Sequence, residues 1–137
     1  KNMFWPSTII IAARDGRIRI GDGCSFGPGG ARVLAYHPGA ELRIDDRVRV
    51  LNGAEIVDSC HLGIGSQVLG AISARAVDLG GGGDFTEPNP DRRGAVLKGF
   101  GLARGTRLSI GEVMNGEGDF TDAEIERQLA YHPRSGG

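Results

Sequence analysis

Residues 44–68 read IDDRVRVLNGAEIVDSCHLGIGSQV. Stepping by six from Ile44 lands on Val50, Ile56, Leu62 and Val68, an unbroken apolar series. A helix of 3.6 residues per turn does not hold a period of six. A plain strand alternates at two and does not mark every third inward position. A coil of three short strands does both. Each strand supplies one large inward residue and a second one two places earlier, such as Val48, Ala54, Cys60 or Ser66. Small or acidic residues such as Asp45 and Gly63 then turn the corners. Three strands make a turn of about 18 residues, stacked on the next by parallel ladders at about 4.8 Å. One turn alone is unstable, so several must stack.

Upstream, Ile20 and Phe26 keep the period, whereas Arg32 and Pro38 break it. A local bulge that brings Val33 inward is one solution, and the sequence leaves it open. Downstream, Ala74 fits. Val96, Leu102, Leu108 and Met114 resume the period, but the step from Val68 to Val96 is not a multiple of six. An insertion over about 77–94 therefore leaves the coil, carrying Gly80 to Gly83 and Glu87-Pro88-Asn89-Pro90-Asp91. Thr121-Asp122-Ala123-Glu124 reads as a capping box, and Ile125 and Leu129 then share one helical face. This predicts a short helix over about 122–131, ending near Pro133 and covering an open coil edge. Residues 1–137 are thus expected to form one domain, with coils over about 9–76 and 95–116 and Lys1 to Ser7 as an irregular lead-in.

Composition agrees with this reading. Twenty-four glycines supply corners, and an aromatic content of 6% leaves a core of aliphatic and small side chains. Lys plus Arg is 16 and Asp plus Glu 17, so the net charge of −1 gives no electrostatic case for nucleic acid or an anionic membrane. The longest apolar run, Ile9 to Ala13, falls far short of the ~20 residues that span a bilayer. No signal peptide is evident and the chain opens abruptly, as a fragment would; a cytoplasmic location is expected. Two cysteines make neither a disulfide framework nor a zinc knuckle. Cys24 and Cys60 both precede an inward position by two, which points both thiols inward, two turns apart and too far for a bridge.

Ile18-Arg19-Ile20-Gly21-Asp22, Leu42-Arg43-Ile44-Asp45-Asp46 and Leu62-Gly63-Ile64-Gly65-Ser66-Gln67-Val68 carry a family likeness. So does the stretch from Val96-Leu97-Lys98-Gly99 to Gly111-Glu112-Val113. Over about residues 16–115 the chain resembles the hexapeptide-repeat acyltransferase superfamily. The resemblance implies an all-β, left-handed parallel β-helix with a loop insertion and a short C-terminal helix. It also implies a homotrimer with clefts between subunits. The implied activity is transfer of an acyl group, most often acetyl, from coenzyme A to a hydroxyl or amine of a sugar or similar small acceptor. Asn52 followed by Ile56-Val57-Asp58 is similar to the acceptor-binding segment of the galactoside and maltose acetyltransferases. The region where those enzymes carry a catalytic His is Asp78 to Asp84 here and contains none. A non-catalytic β-helix, acting as an assembly or binding module, is the alternative.

Acyl transfer needs a base and donors for an oxyanion. His61 precedes the inward Leu62, so it points outward beside Asp58 and Ser59; it is either the base or a solvated surface residue. His37 precedes Pro38, and Glu55 follows it by the length of one regular coil. Such a step stacks the two as a His–carboxylate pair, catalytic or merely an ion pair. His132 ends the expected tail helix, where a cation suits the helix dipole. Asn52 and Asp58 bind acceptor hydroxyls or simply turn corners. Lys98 and Arg104 lie where the resemblance lays acetyl-CoA, or another acyl-CoA, along the groove; a solvated basic side chain is the plainer reading of each. No Gly-Lys-Ser/Thr follows Gly80 to Gly83, so that run is a lid or acceptor loop rather than a phosphate loop. No metal is expected. The carbonic anhydrases of this fold use three His around one zinc, and His37 and His61 fall on different faces.

Overall fold

The computed structural model describes residues 1–130. The chain winds through three-strand coils. The first holds β1 (Met3–Phe4), β2 (Thr8–Ala12) and β3 (Arg17–Ile20). The second holds β4 (Ser25–Phe26), β5 (Ala31–Ala35) and β6 (Glu41–Ile44). The third holds β7 (Arg49–Leu51), β8 (Ala54–Val57) and β9 (His61–Leu62). The fourth holds β10 (Gln67–Leu69), β11 (Ile72–Arg75) and β12 (Asp78–Leu79). In the fifth, β13 (Val96–Arg104) runs across two faces before β14 (Arg107–Leu108), and β15 (Glu112–Asp119) begins another round. Every coil-to-coil ladder is parallel, so the fold is an all-β, left-handed parallel β-helix with three faces.

Each face contributes an inward column. Phe26, Val50, Val68, Leu97 and Met114 stack on the first face. Val33, Ile56, Ala74 and Ala103 stack on the second. Ile20, Ile44, Leu62, Leu79 and Leu108 stack on the third. Apart from Ile20, all of these are buried. Corners need positive φ, and Arg47 (57°), Gly65 (72°), Asp58 (60°) and Ala76 (51°) supply it. At Gly70 and Gly99, with φ of 120° and 110°, an added Cβ would strike the carbonyl of the neighbouring coil, so only glycine fits.

The coils differ in length. Arg43 pairs with His61 and Arg49 with Gln67, the same step along the chain each time. The second coil is longer: Arg32 pairs with Glu55 and Ile20 with Ile44. One extra residue falls between Phe26 and Val33, in the corner at residues 27–30, and the others fall between Val33 and Ile44, where the exposed loop Tyr36–Gly39 lies. This is why Arg32 and Pro38 break the period, and Val33 rather than Arg32 faces in. The same excess moves Ile20 out of the column of Ile56. In the fifth coil Leu97 and Ala103 take the inward places, one position beyond Val96 and Leu102. Cys24 and Cys60 are free and buried, as expected. They are not in one column, however: Cys24 lies just before β4 and Cys60 just before β9, so the reason is different faces rather than two turns.

The excursion begins later than expected, since Asp78–Leu79 is already a strand of the third face. Gly80 to Gly83 is tied down by backbone hydrogen bonds from Gly80 to Leu108, Gly82 to Ile64 and Gly83 to Arg92. The expected tail helix is not formed. Asp119 accepts from the Thr121 N–H, giving a single 3₁₀ turn over Phe120–Asp122. β16 (Ile125–Arg127) then pairs antiparallel with β15, followed by a 3₁₀ turn at Gln128–Ala130. The physical reason is the open edge of β15. Its unpaired N–H and C=O groups capture the tail, and so short a helix cannot compete. Phe120 is drawn into the core instead. Tyr131 and His132 lie outside the described residues. Among the described residues no helix is long and apolar enough to cross a membrane.

Ile56 is fully buried between Val33 and Ala74. Ile56→Asp places an unpaired carboxylate there at a cost of several kcal/mol, a large share of total stability. The expected outcome is an unfolded chain by circular dichroism, and a folded variant would mean the register is wrong.

Candidate functional site

On the third face the outward positions form a ladder: Arg19, Arg43, His61, Asp78 and Arg107. His61 stands in the middle with its side chain 40% exposed. Its Nε2 lies 2.8 Å from Asp45 Oδ2 and its Nδ1 3.3 Å from Asp78 Oδ1. Arg43 Nε donates to the other Asp45 oxygen at 2.9 Å. Burial pushes the Asp45 carboxyl up, but the bonds from His61 and Arg43 outweigh it and hold it below the ordinary value. Asp45 is therefore a fixed carboxylate that orients the ring. Asp78 is half-exposed and makes the longer contact. The strand alternation that sends Ile44 and Leu62 inward sends His61 outward.

A second group gathers where the second face turns into the third. His37, Asp58, Ser59, Arg75 and Arg104 line a cleft of about 290 Å³ there. Arg75 and Arg104 are register neighbours on β11 and β13, one coil apart. Asp58 Oδ1 accepts the backbone N–H groups of both Tyr36 and His37 at 2.8 Å. The N–H of His37 is the chief reason its carboxyl sits below the ordinary value. Asp58 is thus a corner residue that anchors the Tyr36–Gly39 loop.

The expected pairing of His37 with Glu55 is not formed. Glu55 sits on β8 opposite Arg32 and accepts from Ser73 Oγ at 2.8 Å. The pairing assumed a coil of regular length, and the coil between Arg32 and Glu55 is longer. Asn52 turns the corner before β8 with φ of 62°, against Gly29. It and Asp58 stand at opposite ends of β8, about 15–20 Å apart along the strand, so they do not share one subsite. Lys98 and Arg104 share β13 but flank its Gly99–Gly101 bend, on different faces. Arg104 joins His37 and Asp58, whereas Lys98 lines a separate cavity on the first face. No group of three His, Cys, Asp or Glu side chains suited to a metal occurs among the described residues.

Sequence reasoning missed Asp45 and Asp78 as partners of His61, and Arg75 as the companion of Arg104. The signal was present for Asp78 and for Arg75. Asp78 follows His61 by close to one regular coil, and Arg104 follows Arg75 by one coil plus the excursion.

No protein-family model matches the chain, and no curated protein matches it. Among solved structures, a candidate acetyltransferase from Bacillus cereus aligns over 93% of this chain and 77% of its own at 12% identity, with a TM-score of 0.45. A hexapeptide transferase family protein from Anaplasma phagocytophilum aligns over 92% of this chain and 78% of its own at 19% identity, with a TM-score of 0.26.

Because the folded Asp58 carboxyl titrates below its unfolded value of about 3.9, it stabilises the fold above that pH. That contribution is lost as pH falls through the folded value. Asp58→Asn should therefore melt below wild type at pH 7, and the gap should close in acid. A gap that persists unchanged in acid would show that the carboxylate charge plays no part.

Proposed function

We propose that the chain transfers an acyl group, preferentially acetyl, from coenzyme A to a hydroxyl or amine of a sugar or similar small acceptor, with His61 as general base. The observation that carries this reading is the clamp on His61. Asp45, itself held by Arg43, fixes Nε2, and the partly exposed Nδ1 faces the half-exposed Asp78. An acceptor hydroxyl that takes the place of Asp78 at Nδ1 gives up its proton there. Its oxygen attacks the thioester carbonyl, and the tetrahedral intermediate expels the thiolate, which receives the proton from the imidazolium. The corner cleft with Arg75, Arg104 and His37 suits the donor's phosphates, since guanidinium forks match phosphate oxygens. Asp58 and Asn52 are candidate acceptor contacts, His37 the second candidate base and Glu55 its outlying carboxylate; Lys98 would meet a donor only along the first face. The reading includes a homotrimer with the cleft shared between copies, and a cytoplasmic setting that supplies acyl-CoA.

One observation favours the non-catalytic alternative, a β-helix used for assembly or binding. Two carboxylates can only accept, so His61 satisfies both only by donating from both nitrogens, which leaves no free base until Asp78 moves. His61→Ala separates the readings. On the enzyme reading it keeps the fold and acetyl-CoA affinity and loses about 10²–10⁴ in turnover with the acceptor found. Wild-type turnover in His61→Ala with loss in His37→Ala would move the role to His37. Absence of acetyl-CoA binding to the wild type would favour the non-catalytic reading.

A further inference from the structure

The excursion and the tail close over the first face. Gln128 Nε2 donates to the carbonyls of Gly94 at 2.8 Å and Glu112 at 3.0 Å, and Arg127 pairs with Asp91 at 3.0 Å. Beneath them lies a cavity of about 550 Å³, well within the range of small-molecule sites. Its apolar floor is Leu69, Val96 and Val113. Its charged groups are all cationic. Arg93 lines it with Nε fixed on the Glu87 carbonyl at 2.8 Å, and at one side the Arg49 guanidinium lies 4.4 Å above the Phe85 ring. No carboxylate lines it among the described residues.

The telling residue is Gln67. It points outward from β10 into this cavity and is only 7% exposed. Its carboxamide makes no hydrogen bond to any described residue, whereas Gln128 across the cavity donates from Nε2 to two carbonyls. The polar atoms of this amide open into the cavity rather than being sealed by protein, so its donors and acceptor are available to a ligand there.

We propose that this cavity binds a small organic carboxylate, its head held by the Gln67 amide and the Arg93 guanidinium and its apolar body on Leu69, Val96 and Val113. A lone hydrocarbon would leave both polar groups unsatisfied, and inorganic phosphate would leave the apolar floor bare. The site is separate from His61, which lies on the third face, and the inference does not depend on the acyl-transfer reading.

Hexanoate is the probe, titrated calorimetrically into the full chain with hexanol and inorganic phosphate as comparators. Saturable hexanoate binding is expected, with hexanol and phosphate each weaker by about ten-fold or more. Gln67→Leu should fold, melt no lower than wild type and weaken hexanoate by about ten-fold or more, since it deletes an amide that bonds nothing else among the described residues. No hexanoate binding to the wild type, equal binding in Gln67→Leu, or hexanol binding as tightly as hexanoate would each overturn the proposal. If Gln67→Leu does not fold, the side-chain amide NMR signal of Gln67 in the wild type decides. It must shift on adding hexanoate, and an unmoved signal refutes the site.

Discussion

A parallel ladder between successive coils governs everything else in this molecule. Once Arg43 pairs with His61 and Asp78 with His61, the side chains above and below each outward residue are determined. Inward, the same register builds the columns centred on Val50, Ile56 and Leu62. Close approach of coil on coil demands glycine at Gly70 and Gly99, where any side chain meets the next backbone. The energetics follow from this geometry. Each coil buries its apolar side chains only within the prism its neighbours complete, so stability is shared along the stack rather than held by one coil.

The ladder also writes the surface chemistry. Outward residues of consecutive coils stand one strand spacing apart, so charges placed a coil apart become neighbours. That is how His61 comes to lie between two carboxylates that are distant in sequence, and how Arg75 meets Arg104. Where the chain leaves the ladder, at the excursion after Leu79, it returns to roof the first face with the help of the tail. The regular stack thus carries an exposed His–carboxylate cluster on the third face, an arginine-lined cleft at the corner of the second and third faces, and a cavity on the first.

The stack itself was legible in the sequence because a period of six over Ile44 to Val68 reports coils of fixed length. Legibility failed wherever coil length changed. Nothing in the spacing distinguishes a regular coil from the longer one that sets Arg32 against Glu55, so the His37–Glu55 pair was misplaced while His61 kept its outward direction. The tail failed for a different reason. Thr121 to Glu124 is locally a helix start, but the competing partner, the edge of β15, is a tertiary feature that no local motif encodes. Gln67 could not have been singled out, since its burial depends on a roof built from residues 80–94 and 123–130.

Acyl transfer near His61 requires that this surface hold an acyl-CoA. Calorimetric titration of acetyl-CoA into the wild-type chain and into the Arg75→Ala/Arg104→Ala double variant tests that requirement most directly. Saturable binding to the wild type is predicted, with a loss of about ten-fold or more in the double variant, because two adjacent guanidinium groups would leave the donor's phosphates. Undetectable binding to the wild type, or equal affinity in the double variant, would contradict it.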